Sequence, residues 1–276
     1  MARGMNGNQY VWDRSHVSDK NTLAGIFTAL LLATGAQAAT DVDVELSLLI
    51  DVSGSVDTTE FNLQRQGYVD AFMNSGVISA ILSDAGGRLG KIAVEVVYWS
   101  SSNQQDQVVG WTLLDSAGAI SNFASAVATA ARTSDGLTGL GSALKYAADS
   151  INTNDFDGKS KVIDVSGDGL NNSGVTADVR RDYALSNGID RINGIAIEGD
   201  FIPGYADLTE YYKEQVIGGT NAFALTASSF DTFGAAIQQK LKAEITGETP
   251  AVPVSATGLL LLTAIGGIGA MRRRRS

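Results

Sequence analysis

A three-layer α/β fold, with a mostly parallel central sheet, helices on both faces and one antiparallel edge strand, is predicted by three observations in this 276-residue sequence. Apolar, β-branched runs recur along the chain with helix-length stretches between them, the pattern of strands joined by crossover helices. Three of these runs, residues 44–50, 92–99 and 161–165, are nearly continuous rather than alternating, as in strands buried on both faces. The stretches between them carry apolar residues at helical spacing.

The elements follow in order. Residues 44–50 form the first strand and run directly into Asp51. Residues 92–99 and 108–114 leave no room for a helix between them, so they pair as a hairpin whose second member is the antiparallel edge. Ile120, Phe123 and Val127 mark one face of a helix. Residues 161–165 form a buried strand ahead of Gly167-Asp168-Gly169, and residues 192–197 and 222–225 supply two more strands. Phe230, Phe233, Ile237, Leu241 and Ile245 make the clearest amphipathic stripe, the last helix of the body. Residues 244–253 read as a linker, and the chain holds no internal repeat.

Both ends look like addresses rather than core. Lys20, an apolar stretch over residues 23–32 and Ala36-Gln37-Ala38 form the charged, apolar and small-residue pattern of a secretory signal peptide, expected over residues 1–38. Asp13 and Asp19 are unusual in such a leader and suggest a start downstream of Met1. At the other end Pro250 and Pro253 precede an uncharged segment, residues 254–271, and then Arg272, Arg273, Arg274 and Arg275. That segment is at the short limit for spanning a bilayer, and the arginines favour a cytoplasmic C-terminus. Val252-Pro253-Val254-Ser255-Ala256 with the apolar helix and Arg cluster resembles the VPLPA-type relatives of PEP-CTERM sorting tails, with Ser255 where a second proline is usual. The resemblance implies processing by an exosortase-like membrane enzyme, over residues 250–276. A single-pass anchor is the alternative. The expected location is therefore exported: the periplasmic side, the cell surface or the medium, with membrane attachment only through the C-terminal segment.

Between the ends lies one domain, residues 39–249, about 210 residues and enough for a single core. The net charge is −10, and the ends are positive, so the acidity falls on the body. Nucleic acid and anionic lipid are disfavoured partners. Cysteine is absent, which excludes disulfides and thiolate sites, and the one histidine, His16, lies in the leader. No histidine base is left for catalysis, and no enzymatic activity is expected.

The chemistry concentrates on Asp51-Val52-Ser53-Gly54-Ser55, a carboxylate and two hydroxyls at alternate positions on a turn after a buried strand. A tight turn can aim alternate residues at one point, and Gly54 permits close backbone approach. One carboxylate with two hydroxyls suits a hard cation, Mg²⁺ better than Ca²⁺. A polar helix-entry loop is the plainer reading. Two further segments reach the same sheet edge, Thr138 in a Gly and Thr loop before a helix and Asp168 after the buried strand, and edges of this kind gather ligands.

Asp51-x-Ser53-x-Ser55, Thr138 ahead of Ala143-Leu144, and Asp168-Gly169 together resemble the three metal-site loops of von Willebrand factor A (vWA) domains, whose metal-ion-dependent adhesion site is called MIDAS. The resemblance spans about residues 42–245 and implies a Rossmann-like vWA fold. It further implies Ser53 and Ser55 as direct Mg²⁺ ligands, Thr138 as direct or water-mediated, and Asp51 and Asp168 acting partly through water; Mn²⁺ and Ca²⁺ are the other candidate ions. In that family an Asp or Glu of a partner protein completes the coordination, and the last helix, here residues 230–245, can move in response. The downstream part, with Tyr211-Tyr212 and Val216-Ile217-Gly218-Gly219, resembles a bacterial exported vWA-like group without established roles. The expected function is a monomeric, cation-dependent adhesion or protein-binding module. The alternative is a structural component of a secreted matrix or exopolysaccharide system whose metal only stabilises the fold, and a metal-dependent hydrolase ranks last. Asn171 and Asn172 are expected at the rim of the site, with Asp135 and Asp164 as weaker members. Asp41-Val42-Asp43 precedes its strand where a phosphatase nucleophile must follow one, and Gly86 to Lys91 lacks phosphate-loop spacing.

Overall fold

The computed structural model describes residues 38–198 and 203–250. The expected signal peptide and sorting tail lie outside the described residues, among which no helix is long and apolar enough to cross a membrane.

The body is built on a seven-stranded sheet in the order β4-β3-β2-β6-β7-β8, with β9 also on β7. Its strands are β2 (Glu45–Asp51), β3 (Ile92–Trp99), β4 (Gln105–Leu114), β6 (Lys161–Gly167), β7 (Arg191–Ile197), β8 (Gly218–Gly219) and β9 (Ala224–Ala227). A separate two-stranded parallel ladder joins β1 (Thr40–Val42) to β5 (Phe156–Gly158). Strands β3, β2, β6, β7 and β9 run parallel, and β4 is the antiparallel edge. This is the expected vWA-like architecture. Every residue of β2, β3 and β7 is buried, as is every residue of β6 after Lys161, which is the physical basis of the continuous apolar runs in β2, β3 and β6.

Helices α1 (Thr58–Met73), α2 (Ser75–Ile81), α3 (Ala117–Thr129) and α7 (Phe230–Thr246) cover one face, where Leu46, Leu48 and Ile50 pack with Phe72, Phe123, Phe233 and Ile237. Helices α4 (Leu140–Ile151), α5 (Ala177–Ser186) and α6 (Leu208–Tyr211), the last continuing into a π-helical turn, cover the other, against Leu49, Val97 and Ile163. Alternate residues of β2 therefore serve opposite cores. All five residues of the α7 stripe are buried.

Three expectations shift. The linker begins later than residue 244, because α7 continues to Thr246 and stops at Gly247, whose φ of 77° is the left-handed cap that ends a helix. Glu244 is fully buried, with Oε1 accepting from Lys240 Nζ at 2.6 Å and from Asn193 Nδ2 at 3.0 Å. A second antiparallel pairing exists, β8 on β7, and β1 and β5 are additional.

Candidate metal centre

The first loop leaves β2 at Asp51, which is fully buried at the carboxyl end of the strand. Its Oδ1 accepts the Ser53 amide at 2.8 Å, which folds the turn back on itself. Ser53 Oγ lies 3.1 Å from Ser55 Oγ, so the two hydroxyls are adjacent as alternate spacing predicts. Asp57 then caps α1, accepting from the Thr59 and Glu60 amides while Glu60 reaches back to the Asp57 amide. A rigid helix start thus fixes the outer end of the turn.

The second loop is fastened to the first by main-chain contacts. Gly54 N donates to the Gly136 carbonyl at 2.8 Å, and a Cβ on Gly54 would stand 2.9 Å from the Asp135 carbonyl oxygen. Only glycine permits that approach. Arg132 Nη2 donates to the carbonyls of Val52 and Ser53 at 2.9 and 2.8 Å, a clamp that sequence reasoning missed. Thr138, 5% exposed, stands beside the third loop: a Cβ on Gly169 would lie 3.5 Å from its Oγ1.

The third loop follows β6. Ser55 Oγ donates to Asp168 Oδ1 at 2.8 Å, closing the circuit from first loop to third. Asn172 Oδ1 accepts the Thr138 amide at 2.8 Å, and Asn171 Oδ1 accepts the Gly141 amide at 2.9 Å. Both asparagines are therefore pins between loops. Asp51, Ser53, Ser55, Thr138 and Asp168 are brought to one edge. Asp164 is not: it points to the α7 side of the sheet, 2.7 Å from Lys240 Nζ. Asp135 contributes a carbonyl that faces Gly54.

Asp51 Oδ2 is buried and accepts no hydrogen bond. It shares a tight space with the Tyr212 hydroxyl, because a Cβ on Gly167 would lie 2.8 Å from each. Burial pushes the Asp51 carboxyl up to about 7, and the charge of Asp168 pushes the same way, against hydrogen bonds from Ser53 and the Asp168 backbone. Two facing carboxylates, one desolvated, penalise negative charge and favour a bound cation. Among the described residues no group of three or more His, Asp or Glu side chains could hold a metal, so a cation here would need the hydroxyls as well as the two carboxylates. An all-oxygen donor set with one orphaned buried oxygen fits a hard divalent cation.

Behind the site, Gln64 Nε2 donates to the Asp51 carbonyl at 3.0 Å, and Ser166 Oγ donates to Gln64 Oε1 at 2.8 Å. The Tyr68 hydroxyl lies 3.2 Å from Ser166 Oγ and 3.4 Å from Asp164 Oδ1, and gives its proton to one of them. Lys240 Nζ then joins Asp164 to Glu244. A buried polar chain therefore runs from the β2 terminus to α7. A groove of about 570 Å³ opens beside Ser55 and Asp168, lined with Asp57, Glu60, Glu198 and Asp231.

A family model described as "Protein of unknown function (DUF1194)" matches residues 41–249. No curated protein matches in sequence. Among solved structures, the mussel byssus proximal thread matrix protein 1 superposes with a TM-score of 0.53 at 16% identity, over 75% of this chain and 46% of that one. A second structure of it, with the same figures, is described as having a zinc-occupied MIDAS motif. The pilus adhesin SpaC of Lactobacillus rhamnosus GG gives 0.52 at 14% identity, covering 75% of this chain and 31% of that one. A von Willebrand factor type A protein of Catenulispora acidiphila gives 0.51 at 17% identity, over 75% and 43%. The match spans less than half of each of these chains. These likenesses establish a vWA-like fold.

Proposed function

Because the chain belongs to the DUF1194 family and carries a vWA-like fold, we propose that it is an exported, divalent-cation-dependent binding module that captures an acidic group of a partner protein at the cell surface. The observation that carries the reading is the three-loop oxygen cluster, with Asp51 Oδ2 buried and unpartnered at its floor. Asp51, Ser53, Ser55, Thr138 and Asp168 would hold Mg²⁺, Mn²⁺ or Ca²⁺. The ion would supply an electrophilic position that an Asp or Glu side chain can complete. Ser55 is the exposed hydroxyl and Asp51 the buried carboxylate, so a partner approaches from the Ser55 side. Arg132, Asn171 and Asn172 keep the three loops together without entering the ligand set. Nothing in the cluster serves as a histidine base, which supports binding rather than turnover. Export and sorting rest on the leader and on the tail for an exosortase-like enzyme. The solved neighbours that are an adhesin and a byssal matrix protein support a surface role.

The test is thermal unfolding of the protein with Mg²⁺, Mn²⁺ or Ca²⁺, beside Ser53→Ala. An ion at 100 times its Kd adds about 2.7 kcal/mol to stability. The expected result is a saturable rise with at least one ion, removed by chelator and lost in Ser53→Ala. Absence of any rise, or an equal rise in the variant, refutes the site. The byssal matrix neighbour favours a second reading, a matrix component whose ion only stabilises the fold. Cell-surface attachment that survives chelation would favour it.

A further inference from the structure

Three cationic side chains from three separate segments meet at the opposite end of the parallel strands from the candidate metal centre. Arg88 follows the turn after α2, Lys159 follows β5, and Arg191 opens β7; all three line one cavity of about 230 Å³ with Asp43 and Glu244. Arg191 is 5% exposed, and its Nε is buried with no hydrogen-bond partner. Arg88 Nε and Nη2 are likewise buried without one. Unsatisfied buried donors on a charged group are costly, so several beside one cavity point to an acceptor that belongs there.

Neither carboxylate of the lining fills that need. Asp43 accepts from the Leu89 and Gly90 amides at 2.8 and 3.0 Å and from Lys159 Nζ at 3.0 Å, and it stays 3.6 Å from Arg88 Nε. Glu244 meets Arg191 through its backbone carbonyl, which accepts from Nη2 at 3.2 Å. Its carboxyl is pushed up to about 8, by burial first and then by Asp164, and its Oε1 already accepts from Lys240 Nζ at 2.6 Å. Arg88 and Lys159 then share one carboxylate, Asp43, and Arg191 forms an ion pair with neither lining carboxylate.

We propose that this cavity binds a tetrahedral oxyanion of the phosphate or sulfate class, with Arg88 and Arg191 donating hydrogen bonds and Lys159 supplying charge. Guanidinium groups recognise such anions by pairs of N–H donors, and donors from separate segments suit a tetrahedral acceptor better than a planar one. Bound anion would join the turn after α2 and the β5–β6 connection to the start of β7 beside the end of α7.

The experiment is calorimetric titration of the full chain with inorganic phosphate in a phosphate-free buffer. Chelator is present, so that no metal ion at the other end of the sheet contributes and the outcome is independent of the proposed adhesion role. The expected result is saturable binding, with a matching rise in melting temperature that chloride at equal ionic strength does not reproduce. Arg88→Gln should weaken it at least tenfold, and Lys159→Gln in the same direction. Arg191→Gln should abolish it if the variant folds; the less buried Arg88 and Lys159 keep the test decisive if it does not. Absence of saturable binding, equal binding by Arg88→Gln, or the same gain from chloride overturns the proposal.

Discussion

At the scale of single residues, the candidate site is shaped as much by missing atoms as by the oxygens that line it. Gly167 stands where any Cβ would lie 2.8 Å from Asp51 Oδ2 and 2.8 Å from the Tyr212 hydroxyl. Gly167→Ala must therefore rotate the Asp51 carboxylate or displace the tyrosine. Overpacking of this kind costs about 1–3 kcal/mol. The expected outcome is lower stability in urea without ion and at least a tenfold loss in ion affinity by calorimetry; unchanged ion affinity would show that the tyrosine yields and the carboxylate keeps its place. Arg132→Ala should weaken ion binding more mildly, since it removes two bonds to the carbonyls of the first loop and no ligand. The three-loop cluster was legible in the sequence because its signals are local: alternate positions on one turn, then an Asp closing a strand. Arg132, Gln64 and Tyr212 were not, because each acts across long sequence separations, on main-chain atoms or beside a buried carboxylate that no local pattern marks.

At the scale of elements, α7 is tied to the sheet by charge as well as by its apolar stripe. Lys240 is fully buried between Asp164 and Glu244, at 2.7 and 2.6 Å. Replacing it, as in Lys240→Met, strands two carboxyl groups without their cation and should cost about 3–5 kcal/mol in denaturant unfolding. The network also sets a pH dependence. Glu244 has its pKa raised from 4.5 to about 8, so the folded state holds its proton more tightly than the unfolded state does. That contribution is complete below about pH 4.5 and is lost as pH rises through about 8. Wild type should therefore lose stability relative to Glu244→Gln between pH 5 and 8.5, and a constant difference across that range would count against the assignment. The elements most legible from sequence were those with long signals: the continuous runs of β2, β3 and β6 and the five-residue stripe of α7. Strands β1, β5 and β8 are two or three residues long, and β8 is Gly-Gly, too short for any periodicity. Glu244 read as linker because a charged residue ahead of Gly and Pro looks solvated; only its partners across the fold make it core.

At the scale of the whole molecule, strand order decides where function can lie. The parallel strands carry the oxygen cluster at their carboxyl ends and the arginine-lined cavity at their amino ends, so the two can be perturbed separately. The family match covers residues 41–249 and the described residues run to 250, so the expected leader and sorting tail enter the functional reading through sequence alone.

Strand β4 has a further consequence, for assembly. It is a ten-residue border of the sheet, with one row of backbone donors and acceptors facing outward. Such a border invites a strand from another copy, which is how folded proteins begin to polymerise. Here it is defended by the exposed Asp106 and by register breaks opposite Val94, Val96 and Val97. Asp106→Val should weaken that defence and yield concentration-dependent oligomers by light scattering, whereas a variant that scatters like the wild type would assign the protection to the breaks alone. In the proposed surface role copies would meet at high local concentration, and this guarded border would let them stand there densely without turning into fibre.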